Sequence, residues 1–128
     1  MGDSSLAALQ KAKAYIPPEA ASEGTATLVI KKLTEKTDKN SEPYFLLICG
    51  NQSSPECRDI MANLNLPIGN EWDDMRSEVL AKFARTFGID DITVLATDPT
   101  AVLGNTDEVH LSTEEYQGAI VNKIQTWL

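Results

Sequence analysis

The sequence predicts a single domain of the α+β or α/β class, a mixed sheet of four to five strands flanked by helices in the order α-β-β-α-α-β-β-α. Three observations carry this. The 128 residues are 42% hydrophobic and 23% charged, enough to bury one core without disulfide staples. Two stretches, TATLVIKKL and YFLLIC, have the length and β-branched or aromatic content of strands. Trp72, Met75, Val79, Phe83 and Phe87 recur every three or four residues, the period of one helix face.

Taken in order, Ser4 or Ser5 caps a first helix whose apolar positions are Leu6, Leu9, Ala12 and Ile16, and Pro17-Pro18 ends it. PPEAASEG is a loop. Residues 25–33 alternate Ala26, Leu28 and Ile30 with more polar neighbours, a half-buried strand. The polar residues 34–43 read as a long exposed turn. Residues 44–49 show no alternation and predict a strand covered on both faces, forming a hairpin with the first.

After a turn at 50–54, SSPECRDIMANL predicts a short helix, with Ser54 as cap, Pro55 first and Cys57 third. NLPIGN interrupts, and the amphipathic helix at 72–87 ends at Gly88. Residues 92–96 predict a strand, Asp98-Pro99 a turn, and 101–103 and 109–111 short edge strands. A last helix is predicted from Thr113 onward, with Tyr116, Ile120, Ile124 and Trp127 on one face and Ser112-x-x-Glu115 as its capping box. The expected core gathers Leu28, Ile30, Phe45, Leu47, Val79, Phe83, Val94 and Ile120. Trp72 and Trp127 lie on apolar helical faces and are expected in the core as well.

Charge is unevenly spread. Residues 1–50 hold six lysines against six acids, whereas 51–128 hold five basic groups against thirteen acidic ones, the whole net charge of −8. Such a surface repels phosphate backbones, so nucleic-acid binding is not expected. No apolar run reaches the roughly 18 residues of a membrane-spanning helix, and MGDSSLAALQ lacks the basic and apolar regions of a secretory signal. The two cysteines are too few for a disulfide scaffold, which makes the cytoplasm the expected compartment.

Two stretches resemble known families. Asp107-x-x-His110 before a terminal helix resembles the last motif block of the SGNH hydrolases, also called GDSL esterases. Gly2-Asp3-Ser4 matches the letters of their nucleophile motif, and Gly50-Asn51 part of another. The resemblance implies a carboxylate, Asp107, orienting His110 to deprotonate a serine. That family holds its serine rigidly after a buried strand, and only Met1 precedes Gly2 here. Residues 44–128 are similar to a thioredoxin-type layout: an apolar strand, Ser54-Pro55-Glu56-Cys57 at a helix start, then a strand at 92–96 and a terminal helix. The resemblance implies a single reactive thiol, Cys57. Ser54 stands where the attacking cysteine would be and Thr93 where the cis-proline would be, so dithiol exchange is not implied.

The acidic pairs Asp73-Asp74, Asp90-Asp91 and Asp107-Glu108 lack calcium-loop spacing, one histidine and two cysteines make no zinc pattern, and GNQSSP is no phosphate loop. No metal or cofactor is therefore expected. By elimination the sequence describes a small acidic protein-binding or adaptor domain. Its expected partner has a basic surface and docks on Asp90, Asp91, Asp107 and Glu108. A thiol protein working through Cys57 and a hydrolase using Asp107 and His110 are the alternatives.

Overall fold

The computed structural model describes residues 3–13 and 18–127. Gly2, Ile16 and Pro17, used above, lie outside the described residues, as does the side chain of Ser4. The elements are α1 (Asp3–Lys13), β1 (Gly24–Thr37), β2 (Pro43–Asn51), β3 (Ile60–Asn65), α2 (Asp73–Thr86), α3 (Val94–Thr97), a 3₁₀ turn (Pro99–Val102), β4 (Thr106–Tyr116) and β5 (Ala119–Trp127). The five strands form one antiparallel sheet in the order β3-β2-β1-β4-β5. The outermost strands, β3 and β5, approach each other, so the sheet curls into a partly open barrel with α2 packed between β3 and β4 in sequence.

This corrects the predicted element order and the mixed sheet in three places. Residues 54–59 make a turn rather than a helix, and β3 follows. Ile60 and Leu64 are buried while Met61, Asn63 and Asn65 are exposed, and a spacing of four residues satisfies a strand's period as well as a helix's. The predicted strand at 101–103 falls instead in the 3₁₀ turn and at its end, and the predicted strand at 92–96 is the single turn α3. It is bracketed by Asp91, whose carboxylate accepts from the Thr93 amide at 3.0 Å, and by Asp98, which accepts from the Thr100 amide at 3.2 Å. These local bonds offer the backbone an alternative to a ladder and outweigh the β-branched composition.

The third correction is the largest. The predicted terminal helix is the hairpin of β4 and β5, turning on Gln117 (φ 50°) and Gly118 (φ 79°). Two consecutive positive φ values between the paired Tyr116 and Ala119 are the mark of a type I′ turn, whose twist suits a two-residue hairpin. A bulge lies opposite: Leu111 pairs with Ile124 and His110 with Thr126, leaving Gln125 as the extra residue. The bulge brings Ile124 and Trp127, three apart, to the same side of the sheet, which imitates helical spacing. Ser112 and Glu115 pair with Lys123 and Ile120 across the hairpin, so they cap nothing.

β1 carries a bulge of its own. Ile30 pairs with Cys49 and Lys32 with Ile48, leaving Lys31 over, and the buried positions change phase from Ala26, Leu28 and Ile30 to Leu33. The strand continues to Thr37, so only 38–42 form the turn predicted for 34–43; there the Asp38 carboxylate accepts from the amides of Asn40 and Glu42 at 2.8 and 3.0 Å. β1 bends at this point, pairing with β4 through Gly24 to Val29 and with β2 through Leu28 to Thr37.

The interior holds Leu28, Ile30, Phe45, Leu47, Ile60, Leu64, Phe83, Val109 and Leu111. Phe83 of α2, Phe87 at its C-cap and Trp127 of β5 form an aromatic cluster with ring centroids 5.5 to 6.3 Å apart. Val79 and Val94 pack at its margin, but Ile120 is 55% exposed because it sits near the hairpin tip, and Trp72 is 49% exposed before the first turn of α2. Asn122, which no motif singled out, is buried; its side chain accepts from the Ala21 amide at 2.7 Å and donates to the Ala21 carbonyl at 2.9 Å. That bidentate contact clamps the chain before β1 onto β5.

Candidate binding face

β2 is covered on one side only, contrary to the expectation for its unbroken apolar run. Phe45, Leu47 and Cys49 are buried, whereas Tyr44, Leu46 and Ile48 are half-buried on the opposite side. The register builds three rows across that outer side. Lys36, Tyr44 and Asn65 make one row; Thr34, Leu46 and Asn63 the second; Lys32, Ile48 and Met61 the third. Lys32, Lys36, Asn63 and Asn65 are exposed, and Met61 is 58% exposed. The nine outward positions therefore hold an apolar and aromatic centre, two lysines, two asparagines and no carboxylate. The β1–β2 turn adds Lys39 together with the carboxylates of Asp38 and Glu42.

The rigidity of this face comes from its neighbours. Arg76 of α2 donates to the Leu66 carbonyl at 3.3 Å and pairs with Glu42 at 3.3 Å, joining the residue after β3 to the one before β2. The loop from β3 to α2 is organised by Asp73, whose carboxylate accepts from the amides of Ile68 and Gly69 at 2.9 Å and of Asn70 at 3.3 Å. Those amide donors, that of Ile68 foremost, hold the Asp73 carboxyl below its ordinary range.

The residues predicted as sites are placed elsewhere. Asp107 and His110 both lie on β4, three residues apart on a regular stretch of strand, and so project to opposite sides. Asp107 is exposed and accepts from the Glu108 amide at 2.7 Å; His110 is half-buried between Thr25 and Thr126. Cys57 is half-buried in the turn before β3, its amide donating to the Ser54 carbonyl at 2.9 Å, so no helix N-terminus faces it. Cys49 is the other free thiol; burial foremost, and then the Asp59 charge, pushes it up to about 12.

Asp90 and Asp91 are exposed after α2, where the Thr93 hydroxyl and amide hold the Asp91 carboxyl low. Asp107 and Glu108 are exposed at the start of β4. The Asn105 side chain donates to the Phe87 carbonyl at 3.2 Å, tying together the two segments that carry these pairs. Among the described residues, no group of three or more His, Cys, Asp or Glu is gathered in a metal-holding arrangement, and no helix is long and apolar enough to cross a membrane.

Sequence reasoning missed the outer face because it counted charge over two long stretches of chain rather than over one side of a sheet. The signal was present in the pairing of KKLTEK with YFLLIC, where a register sorts the lysines to one side and Glu35, opposite Phe45, to the other. Compared with known proteins, the chain matches no family model and no curated protein.

Proposed function

We propose that the chain is a single-stranded nucleic-acid-binding domain that holds an extended strand on the outer face of β1, β2 and β3. The carrying observation is the three outward rows, none of whose residues is acidic, in which Lys32 and Lys36 flank Tyr44, Leu46, Ile48 and Met61. A single strand offers bases to stack on an aromatic ring and apolar side chains, and phosphates to pair with lysines at the margin. Asn63 and Asn65 supply donors and acceptors for base edges. The connectivity supports the same reading. Five antiparallel strands with a helix between the third and fourth, closing toward a partly open Greek-key barrel, is the plan of the OB-fold, whose second and third strands carry oligonucleotides or oligosaccharides. Topology alone would not choose between these ligands; the uncompensated lysines favour the polyanion.

This reading departs from the expectation drawn from net charge. Beyond roughly one Debye length, about 8 Å at physiological salt, the acids elsewhere are screened, so the local sign of the face governs contact. Two unpaired cysteines suit a reducing cytoplasm.

The test is fluorescence anisotropy of a labelled oligothymidylate, with a duplex and a neutral oligosaccharide as competitors. Saturable binding that the duplex and sugar fail to displace supports the proposal. Binding that Lys32→Gln/Lys36→Gln leaves unchanged would sink it.

A protein partner is the second reading. Asp107, Glu108, Glu114 and Glu115 are all exposed along β4, an acidic strand suited to a basic segment. It is favoured over the first if the oligonucleotide does not bind and a Lys-rich peptide does, in a manner lost in Asp107→Asn/Glu108→Gln.

A further inference from the structure

One end of the face carries a contact that the binding proposal does not explain. The bulged residue Lys31 lies across Gly50: a Cβ at Gly50 would stand 2.9 Å from Lys31 Cδ and 3.3 Å from Val29 Cγ1. Any side chain there would displace the lysine stem. The stem crosses β2 and delivers Nζ to Asp59, 3.0 and 3.2 Å from its two carboxylate oxygens, just before β3 begins. The two side chains remain 53% and 43% exposed. An exposed pair of this kind adds little to stability, and a bound phosphate can reach the ammonium without unfolding anything.

We propose, resting on the nucleic-acid reading, that Asp59 is an internal competitor for the phosphate backbone. In the free protein it occupies Lys31, the third lysine of the face; in the complex a phosphate oxygen takes the carboxylate's place. No covalent bond changes. The strand gains one ammonium contact and the protein gives up one ion pair, so Lys31 contributes less affinity than Lys32 or Lys36. The carboxylate keeps the face from holding the strand too tightly and returns to Lys31 as the strand leaves.

The experiment is a double-mutant cycle on the full chain: wild type, Asp59→Asn, Lys31→Gln and the double variant, titrated with a labelled oligothymidylate across a salt series. Thermal melts establish that each variant is folded. With Lys31 freed, Asp59→Asn should bind about fivefold more tightly at low salt, while the slope of log K against log salt stays close to that of wild type, because both complexes hold the same phosphate contacts. In the Lys31→Gln background, Asp59→Asn should change nothing, because the lysine it frees is gone. An equal gain with and without Lys31 would mean that Asp59 acts only as a distant negative charge, and the proposal fails. It fails too if Asp59→Asn binds as wild type does. Absence of binding by every variant at every salt condition would instead remove the nucleic-acid reading itself.

Discussion

Tyr44 begins the exposed side of β2 between Lys36 and Asn65. Its ring contributes to no core row, so truncation separates binding from folding. Tyr44→Ala should weaken oligonucleotide binding by about 1–3 kcal/mol, the range for losing one base stack, and should leave the denaturation midpoint nearly unchanged. Tyr44→Phe should bind almost as wild type. Isothermal titration together with urea denaturation of the same samples checks both halves. Asn122 poses the opposite case. Its side chain satisfies both backbone groups of the buried Ala21, and Asn122→Ala leaves that donor and acceptor without a partner. The variant should lose about 1–3 kcal/mol of stability in urea. Asp73 adds a pH dependence. Its carboxyl is held low in the folded state, so its contribution is present above the unfolded value of about 3.9 and lost as pH falls through the lower folded value. Asp73→Asn should flatten that acid limb of a melting-temperature profile; a limb of unchanged slope would show that other carboxylates carry it.

α2 is the element where sequence and structure agree best, and the reason lies in its length. Fourteen residues give the helical period enough repeats to be distinguished from a strand. Of the predicted stripe Phe83 and Phe87 enter the interior and Val79 packs against it, whereas Trp72 and Met75 are exposed and Leu80, outside the stripe, is buried. Phe83 is fully buried against Phe87 and Trp127. Phe83→Ala should therefore cost about 3–5 kcal/mol, measured by denaturant unfolding. β1 and β2 were equally legible as a hairpin, through Leu28, Ile30, Phe45 and Leu47. β3 and the last third of the chain were not. Ile60 with Leu64, and Ile124 with Trp127, show spacings that a helix also produces. What turns them into strands lies outside any local window: the ladder supplied by β2, and the Gln125 bulge opposite His110. The candidate binding face was hidden for a related reason. Lys32, Ile48 and Met61 are far apart in sequence, and only the register makes them a row.

At the scale of the whole molecule the net charge of −8 is a poor guide to any one side of the sheet. The acids concentrate on β4, in α2 and in the loop after α2, while the outward rows of β1 to β3 carry none. Oligonucleotide affinity should fall as salt rises, with Lys32→Gln and Lys36→Gln each flattening the log–log slope by about 0.7. Affinity measured at low salt should nonetheless stay modest, because the acidic remainder of the surface repels every phosphate beyond the contacted ones.

The bulge at Lys31 has a consequence for how this barrel could be taken apart. Deleting Lys31 would leave Ile30 opposite Cys49, Lys32 opposite Ile48 and Leu33 opposite Leu47, with alternation now uninterrupted. Every cross-strand partner survives, and the hydrophobic side still faces inward. What disappears is the local kink that lets one strand serve two neighbours leading in different directions. The deletion is thus a lever on curvature alone, with Asp59→Asn as the control for the ion pair that goes with it. A flatter β1 would pull β3 and β5 apart at the seam. Amide protons along Ile60 to Asn65 should then exchange faster, while those in the centre of the hairpin between β1 and β2 stay protected.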